Sequence, residues 1–186
     1  MRLSEEIARE TLLVSIRREE AAIRLNRSGN PLRLPGKPRT KVQEAKHIIE
    51  ASLYERAGAL VLNKQWMGLT EGEEISHGDI GDHGRGWIEG RGTKLPYGGL
   101  CVQLPPGVRG KSGDPPDHWY LLVTGEYPDF WVYNALPGWF CQQPKFWRED
   151  MPHHACYLVP QWVVREKGVF LGGLTQCQAV KLGLSL

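Results

Sequence analysis

The repeat from Val42 to about Asn63 constrains the fold more than any other feature of this chain. Val42, Ala45, Ile49, Leu53, Ala57, Leu60 and Val61 approximate the i, i+3, i+4 spacing of one helical face, which predicts a long, amphipathic and mostly buried helix. Such a helix needs an apolar surface to lie on, and the residues after it supply strands. His118 to Thr124 (HWYLLVT) is the strongest strand pattern, joined by Phe130 to Tyr133 (FWVY), Gly99 to Leu104 and Ala155 to Val159 (ACYLV). Helices first and strands afterwards imply an α+β chain, with a mixed central sheet of about four to five strands flanked by helices.

Ser4, followed by Glu5 and Glu6, predicts the start of an N-terminal helix over residues 1–26, with a capping hydroxyl and acidic side chains set against the helix dipole. Leu3, Ile7, Val14, Ala21 and Leu25 fall near one stripe, which suits packing or assembly and leaves a homodimer open. Residues 27–41 then read RSGNPLRLPGKPRTK, where three prolines and two glycines forbid regular structure and five cations share one sign. This segment is a solvated linker or a phosphate-contacting loop. A core over 42–170 and a weakly patterned tail over 171–186 complete a single folding unit.

Composition narrows the class. Lys and Arg total 23 against 21 acidic residues, so net charge does not name a partner. Cys101, Cys141, Cys156 and Cys177 contain no CxxC pair and read as reduced thiols of a cytoplasmic protein. Charge throughout the first twenty-five residues argues against a signal peptide, and no apolar run approaches the roughly eighteen residues of a membrane span.

Asp79 to Lys94 (DIGDHGRGWIEGRGTK) sets acidic, imidazole and basic side chains beside strand formers. Period two puts Trp87, Glu89 and Arg91 on one face and Ile88 on the other. Gly81, Gly84 and Gly86 offer a bend that would bring Asp79 toward Glu89, and two converging carboxylates suit a hard divalent ion. The plainer alternative is a polar hairpin whose charges face water.

A helix bearing Glu55, a bend bearing Asp79 and a strand bearing Glu89-Gly90-Arg91 together resemble the PD-(D/E)xK nuclease superfamily, whose core is a helix, a three-stranded meander and a further helix and strand. The run from Glu55 through Trp66, with GDIG, IEGRG, LLVTG and YLVPQ, is also similar to a group of phage and bacterial proteins assigned to this fold. The resemblance implies a restriction-endonuclease-like fold and a Mg²⁺- or Mn²⁺-dependent nuclease acting on nucleic acid, with DNA as the expected substrate. It makes Asp79, Glu89 and the helix carboxylate Glu55 the metal ligands, converging on one cation-sized gap. Periodicity alone would instead leave Glu55 facing solvent. Arg91 takes the usual lysine position, where it stabilises charge but shuttles no proton at neutral pH. Lys94 is the substitute amine. Arg33, Lys37, Arg39 and Lys41 would follow the nucleic-acid backbone.

Two other readings stay open. His77, Asp79, Asp82 and His83 lie within seven residues and are similar to the HxHxDH cluster of metallo-β-lactamase-like zinc hydrolases. Alternatively the fold has lost its chemistry and serves as a nucleic-acid-binding or assembly module. In that case Trp131, Tyr133, Trp139, Phe140, Phe146 and Trp147 form either stacking platforms or, more simply, core. Pro116-Asp117 with Glu126 is a decoy for the motif, and His47, His118, His153 and His154 read as isolated exposed imidazoles.

Overall fold

The computed structural model describes residues 1–24, 41–66, 80–81, 87–104, 113–150 and 155–171. Helix α1 (Glu5–Arg24) starts where Ser4 accepts the Ile7 N–H at 3.3 Å, and α2 (Lys41–Leu62) follows the helical repeat. Lys41, expected in the basic loop, is therefore the first residue of α2. The packed side of α1 is completed by Thr11 and Ser15, each buried with its hydroxyl donating to the carbonyl one turn back, at 2.7 and 2.8 Å. Leu12, Leu13 and Ile16 consequently stay exposed.

After α2 the chain passes through two antiparallel bridges, Trp66 with Ile80 and Ile80 with Ile88, and enters β1 (Ile88–Thr93). It continues through β2 (Leu100–Val102), β3 (Trp119–Glu126), β4 (Asp129–Pro137), the short helix α3 (Gly138–Cys141) and a 3-10 turn at Pro144–Phe146. Then come β5 (Trp147–Arg148), β6 (Cys156–Val159) and α4 (Gln161–Lys167). The fold is α+β, as expected.

The sheet differs from the expectation of four to five strands. Among the described residues there are two three-stranded sheets: a mixed one in the order β1-β3-β4, with β1 parallel to β3, and an antiparallel one in the order β2-β6-β5. Local geometry accounts for the split. After Thr93 the chain turns, with Gly98 N–H donating to Leu95 O at 2.9 Å. Gly99 then lies so close to β6 that a Cβ there would sit 2.7 Å from Val159 O. Thus β2 joins β6 instead of extending the first sheet, and the passes at Trp66 and Ile80 contribute single bridges rather than full strands.

Two cores sit on the two faces of the mixed sheet. On one face α2 lays Tyr54, Ala57, Ala59 and Leu62 against Ile88, Leu121, Val123 and Phe130. The close approach is made at Gly58, where a Cβ would lie 2.6 Å from Leu121 Cδ2, so Ala57-Gly58-Ala59 is the point at which helix meets sheet. On the other face Tyr120, Leu122 and Leu136 pack with Leu100, Val102 and Val159 of the second sheet. The β3–β4 turn is covered by the N-terminus: Phe130 N–H donates to Met1 O at 2.7 Å, Leu3 N–H to Pro128 O at 2.9 Å, and Arg2 pairs with Asp129.

Candidate functional site

The parallel register of β1 and β3 builds the polar centre. Glu89 lies opposite Tyr120, and residues two apart on a strand share a face, so Glu89, Arg91, His118 and Tyr120 all point away from α2. His118 Nδ1 is 3.1 Å from Glu89 Oε1; a carboxylate only accepts, so the ring nitrogen is the donor. Arg91 Nη1 lies 3.3 Å from the other Glu89 oxygen, and Nη2 lies 2.8 Å from Asp114 Oδ1. Arg91 thus bridges two carboxylates, with its guanidinium carbon 5.5 Å from the Tyr120 ring centroid. The side chains of His118, Glu89 and Asp114 are 10%, 15% and 9% exposed, and that of Arg91 is 30% exposed.

Asp114 is fixed from several directions. Its Oδ2 accepts Gln103 N–H at 2.7 Å, its carbonyl accepts Gln142 Nε2 at 2.7 Å, and its own N–H donates to Leu104 O at 3.0 Å. Gln142 also donates to Gln103 O at 3.1 Å. The Tyr120 hydroxyl donates to Pro115 O at 2.9 Å; burial, and next the Asp114 charge, push its phenol well above the ordinary range. At the other end of the segment, Gly138 N–H donates to His118 O and Trp139 N–H to Pro116 O, both at 2.8 Å. The second sheet, α3 and the start of β3 are joined through these backbone and amide contacts.

Of the residues singled out in the sequence, Glu89 and Arg91 meet here. His77, Asp79, Asp82 and His83 lie outside the described residues, as do Arg33, Lys37 and Arg39. Glu55 is buried, not solvent-facing, and accepts Trp66 Nε1 at 3.2 Å. It does not converge with Glu89. A Cβ at Gly90 would lie 3.0 Å from Glu55 Cα, so Glu55 packs on the α2 face of β1 and Glu89 projects from the opposite face. Lys94 is not a substitute amine in the cluster: its Nζ is held by Glu50 at 2.7 Å and Glu126 at 3.1 Å, which raise its pKa. Glu126 is thereby tied to the end of β1, and Asp117 is exposed.

Asp114 and His118 were missed. His118 is not an isolated exposed imidazole, because the strand it precedes lies beside Glu89. The available signal was its parity with Tyr120 and Leu122, which assigns it to one face once β1 and β3 are paired. Asp114 lies in a Pro- and Gly-rich stretch without periodicity. The aromatics divide: Phe146 is core, whereas Trp131 and Trp139 are more than half exposed.

The donor set can be weighed against the divalent ion that the resemblance implies. Both Glu89 oxygens are engaged by His118 and Arg91, Asp114 is engaged by Arg91 and Gln103, and Glu55 sits on the other face. Among the described residues no group of three or more His, Cys, Asp or Glu side chains is placed to hold a metal ion, and Asp79, the first expected ligand, lies outside them. Among them, too, no helix is long and apolar enough to cross a membrane. No protein family, no curated protein and no solved structure matches this chain.

Proposed function

We propose that this chain is a nuclease-like nucleic-acid-binding protein in which the strand carrying Glu89 and Arg91 serves as a structural ion-pair hub. The observation that supports this reading is the commitment of Arg91 to both Glu89 and Asp114. A guanidinium held between two largely buried carboxylates is compensated already, and presenting it to a phosphate would take their cation from both, at a cost of about 3 kcal/mol. Affinity then falls to the basic stretch of residues 27–41, whose cations would neutralise backbone phosphates and release counterions.

A metal-dependent nuclease is the second reading, and one observation favours it. Helix α2, the antiparallel passes through Trp66, Ile80 and Ile88, and then the parallel strand β3 follow the order of elements in the resembled superfamily, with Asp79 adjoining Ile80 in sequence. The described part of the crossover from β1 to β3 holds β2 in place of the superfamily's second helix.

Incubating the protein with linear, single-stranded and branched nucleic acids, with Mg²⁺, Mn²⁺ or EDTA, tests both readings. Binding that weakens with salt and is unaccompanied by cleavage is expected. Cleavage that needs the metal would select the nuclease instead, and absence of binding to every substrate would remove both. Neutralising Arg33, Lys37, Arg39 and Lys41 together should flatten the salt dependence by up to about 0.9 log units per lost phosphate contact.

A further inference from the structure

Cys101 and Cys156 are remote in sequence and adjacent in the fold. Strands β2 and β6 run antiparallel with Leu100 opposite Val159, Cys101 opposite Leu158 and Val102 opposite Tyr157. Opposed residues share a face, and so do residues two apart along one strand. Cys101, Leu158 and Cys156 therefore lie on one face of this pair, while Leu100, Val102 and Val159 enter the core from the other. Cys101 and Cys156 form a diagonal cross-strand pair whose side chains neighbour each other, with Cys101 half-buried and Cys156 at 1% exposure. Neither thiol takes part in the polar cluster. Both nevertheless feel the charge of Asp114, and Cys101 that of Arg91 as well.

We propose that Cys101 and Cys156 are a redox-modifiable pair, which a hydroperoxide closes to a disulfide linking β2 to β6. The half-buried Cys101 is the side of the pair that a molecule as small as hydrogen peroxide meets. One of the two sulfurs attacks a peroxide oxygen; an S–O bond forms, the O–O bond breaks, and hydroxide leaves and takes up a proton as water. The other sulfur then attacks the sulfenic sulfur; the S–S bond forms, the S–O bond breaks, and a second water departs. The two thiols lose two electrons and two protons, and one peroxide becomes two waters.

Continuing the register by one step places Gln103 opposite Cys156. Gln103 N–H holds Asp114 at 2.7 Å, and Asp114 holds Arg91. The disulfide would thus clamp the strand end on which the ion-pair hub rests. The inference does not depend on nucleic-acid binding.

Treating the reduced full-length chain with hydrogen peroxide, alkylating it under denaturing conditions and mapping the peptides provides the test. Of the four cysteines, two should lose alkylation together, joined in one Cys101–Cys156 cross-linked peptide that dithiothreitol reverses. Cys177→Ser should behave like wild type. In Cys101→Ser and in Cys156→Ser the cross-link should vanish, leaving a sulfenic acid on the remaining cysteine of the pair that dimedone traps. Retention of all four thiols, a cross-link to Cys141 or Cys177 instead, or separate over-oxidation of single cysteines would overturn the proposal. The decisive mapping uses the wild-type chain, so it stands even where a variant fails to fold.

Discussion

Arg91 and Asp114 lie on different elements, and the 2.8 Å contact between Nη2 and Oδ1 ties the mixed sheet to the loop that precedes β3. Asp114 is 9% exposed and supports Gln103 as well, so its loss takes one of the two carboxylates from the guanidinium and the acceptor from the Gln103 N–H. Asp114→Ala should lower the unfolding free energy by about 3 kcal/mol, at the lower end for a broken buried pair because Arg91 keeps 30% exposure. The double replacement Arg91→Met with Asp114→Leu should cost more than Asp114→Ala alone, because it also takes the guanidinium from Glu89. Chemical denaturation of the three proteins checks this, and a single-variant loss under about 0.5 kcal/mol would mean that the bridge is not structural.

Gly90 and Gly92 face α2, and the space at each differs. A Cβ at Gly92 would meet the Tyr54 ring at 1.9 Å, whereas one at Gly90 would meet Glu55 Cα at 3.0 Å. The Tyr54 ring cannot readily retreat, since its hydroxyl donates to Gly125 O and its face packs edge-on with Phe130 at 5.6 Å. Gly92→Ala should therefore be the more costly change, by about 3 kcal/mol against about 1 for Gly90→Ala. Equal unfolding midpoints would contradict this placement of α2.

Tyr54 also has an alkaline signature. Burial first, and then the charge of Glu50, push its phenol up to about 12. The raised group contributes stability that is complete below the ordinary phenol value of about 10 and is lost as pH rises through about 12. Tyr54→Phe keeps the ring packing, removes the bond to Gly125 at a cost of about 1 kcal/mol at pH 7, and should lessen the alkaline loss. Unfolding curves of both proteins at neutral and alkaline pH supply the comparison. An undiminished alkaline loss in the variant would show that other groups cause it.

Acid acts on the N-terminus. Hydrogen bonding to Arg2 holds the Asp129 carboxyl below its usual value. A depressed carboxylate stabilises the fold above its unfolded pKa, and the contribution is lost as pH falls through the lowered folded value, below about pH 4. Both side chains are exposed, so the outcome is local: faster hydrogen exchange at Leu3 and Phe130 in acid while β3 stays protected. Asp129→Asn should show the faster exchange already at neutral pH. Exchange at those amides that ignores both pH and the variant would detach the N-terminus from this ion pair.

Local chemistry made much of the chain legible. The 3.6-residue repeat marked α2 to within one residue at each end, Ser4 with its acidic followers marked α1, and alternation set Glu89 and Arg91 on one face with Ile88 opposite. These features depend on neighbours within a turn or a strand, so the order of residues carries them directly. Partner choice does not. That β1 pairs in parallel with β3, that β2 leaves for a second sheet, and that Arg91 meets Asp114 and Glu89 meets His118 all follow from contacts between distant segments. Whether Glu55 and Glu89 share a face is decided in the same way. The tight packing of Gly90 on α2 and the alternation of β1 put them on opposite faces, a consequence of how helix and strand stack in three dimensions.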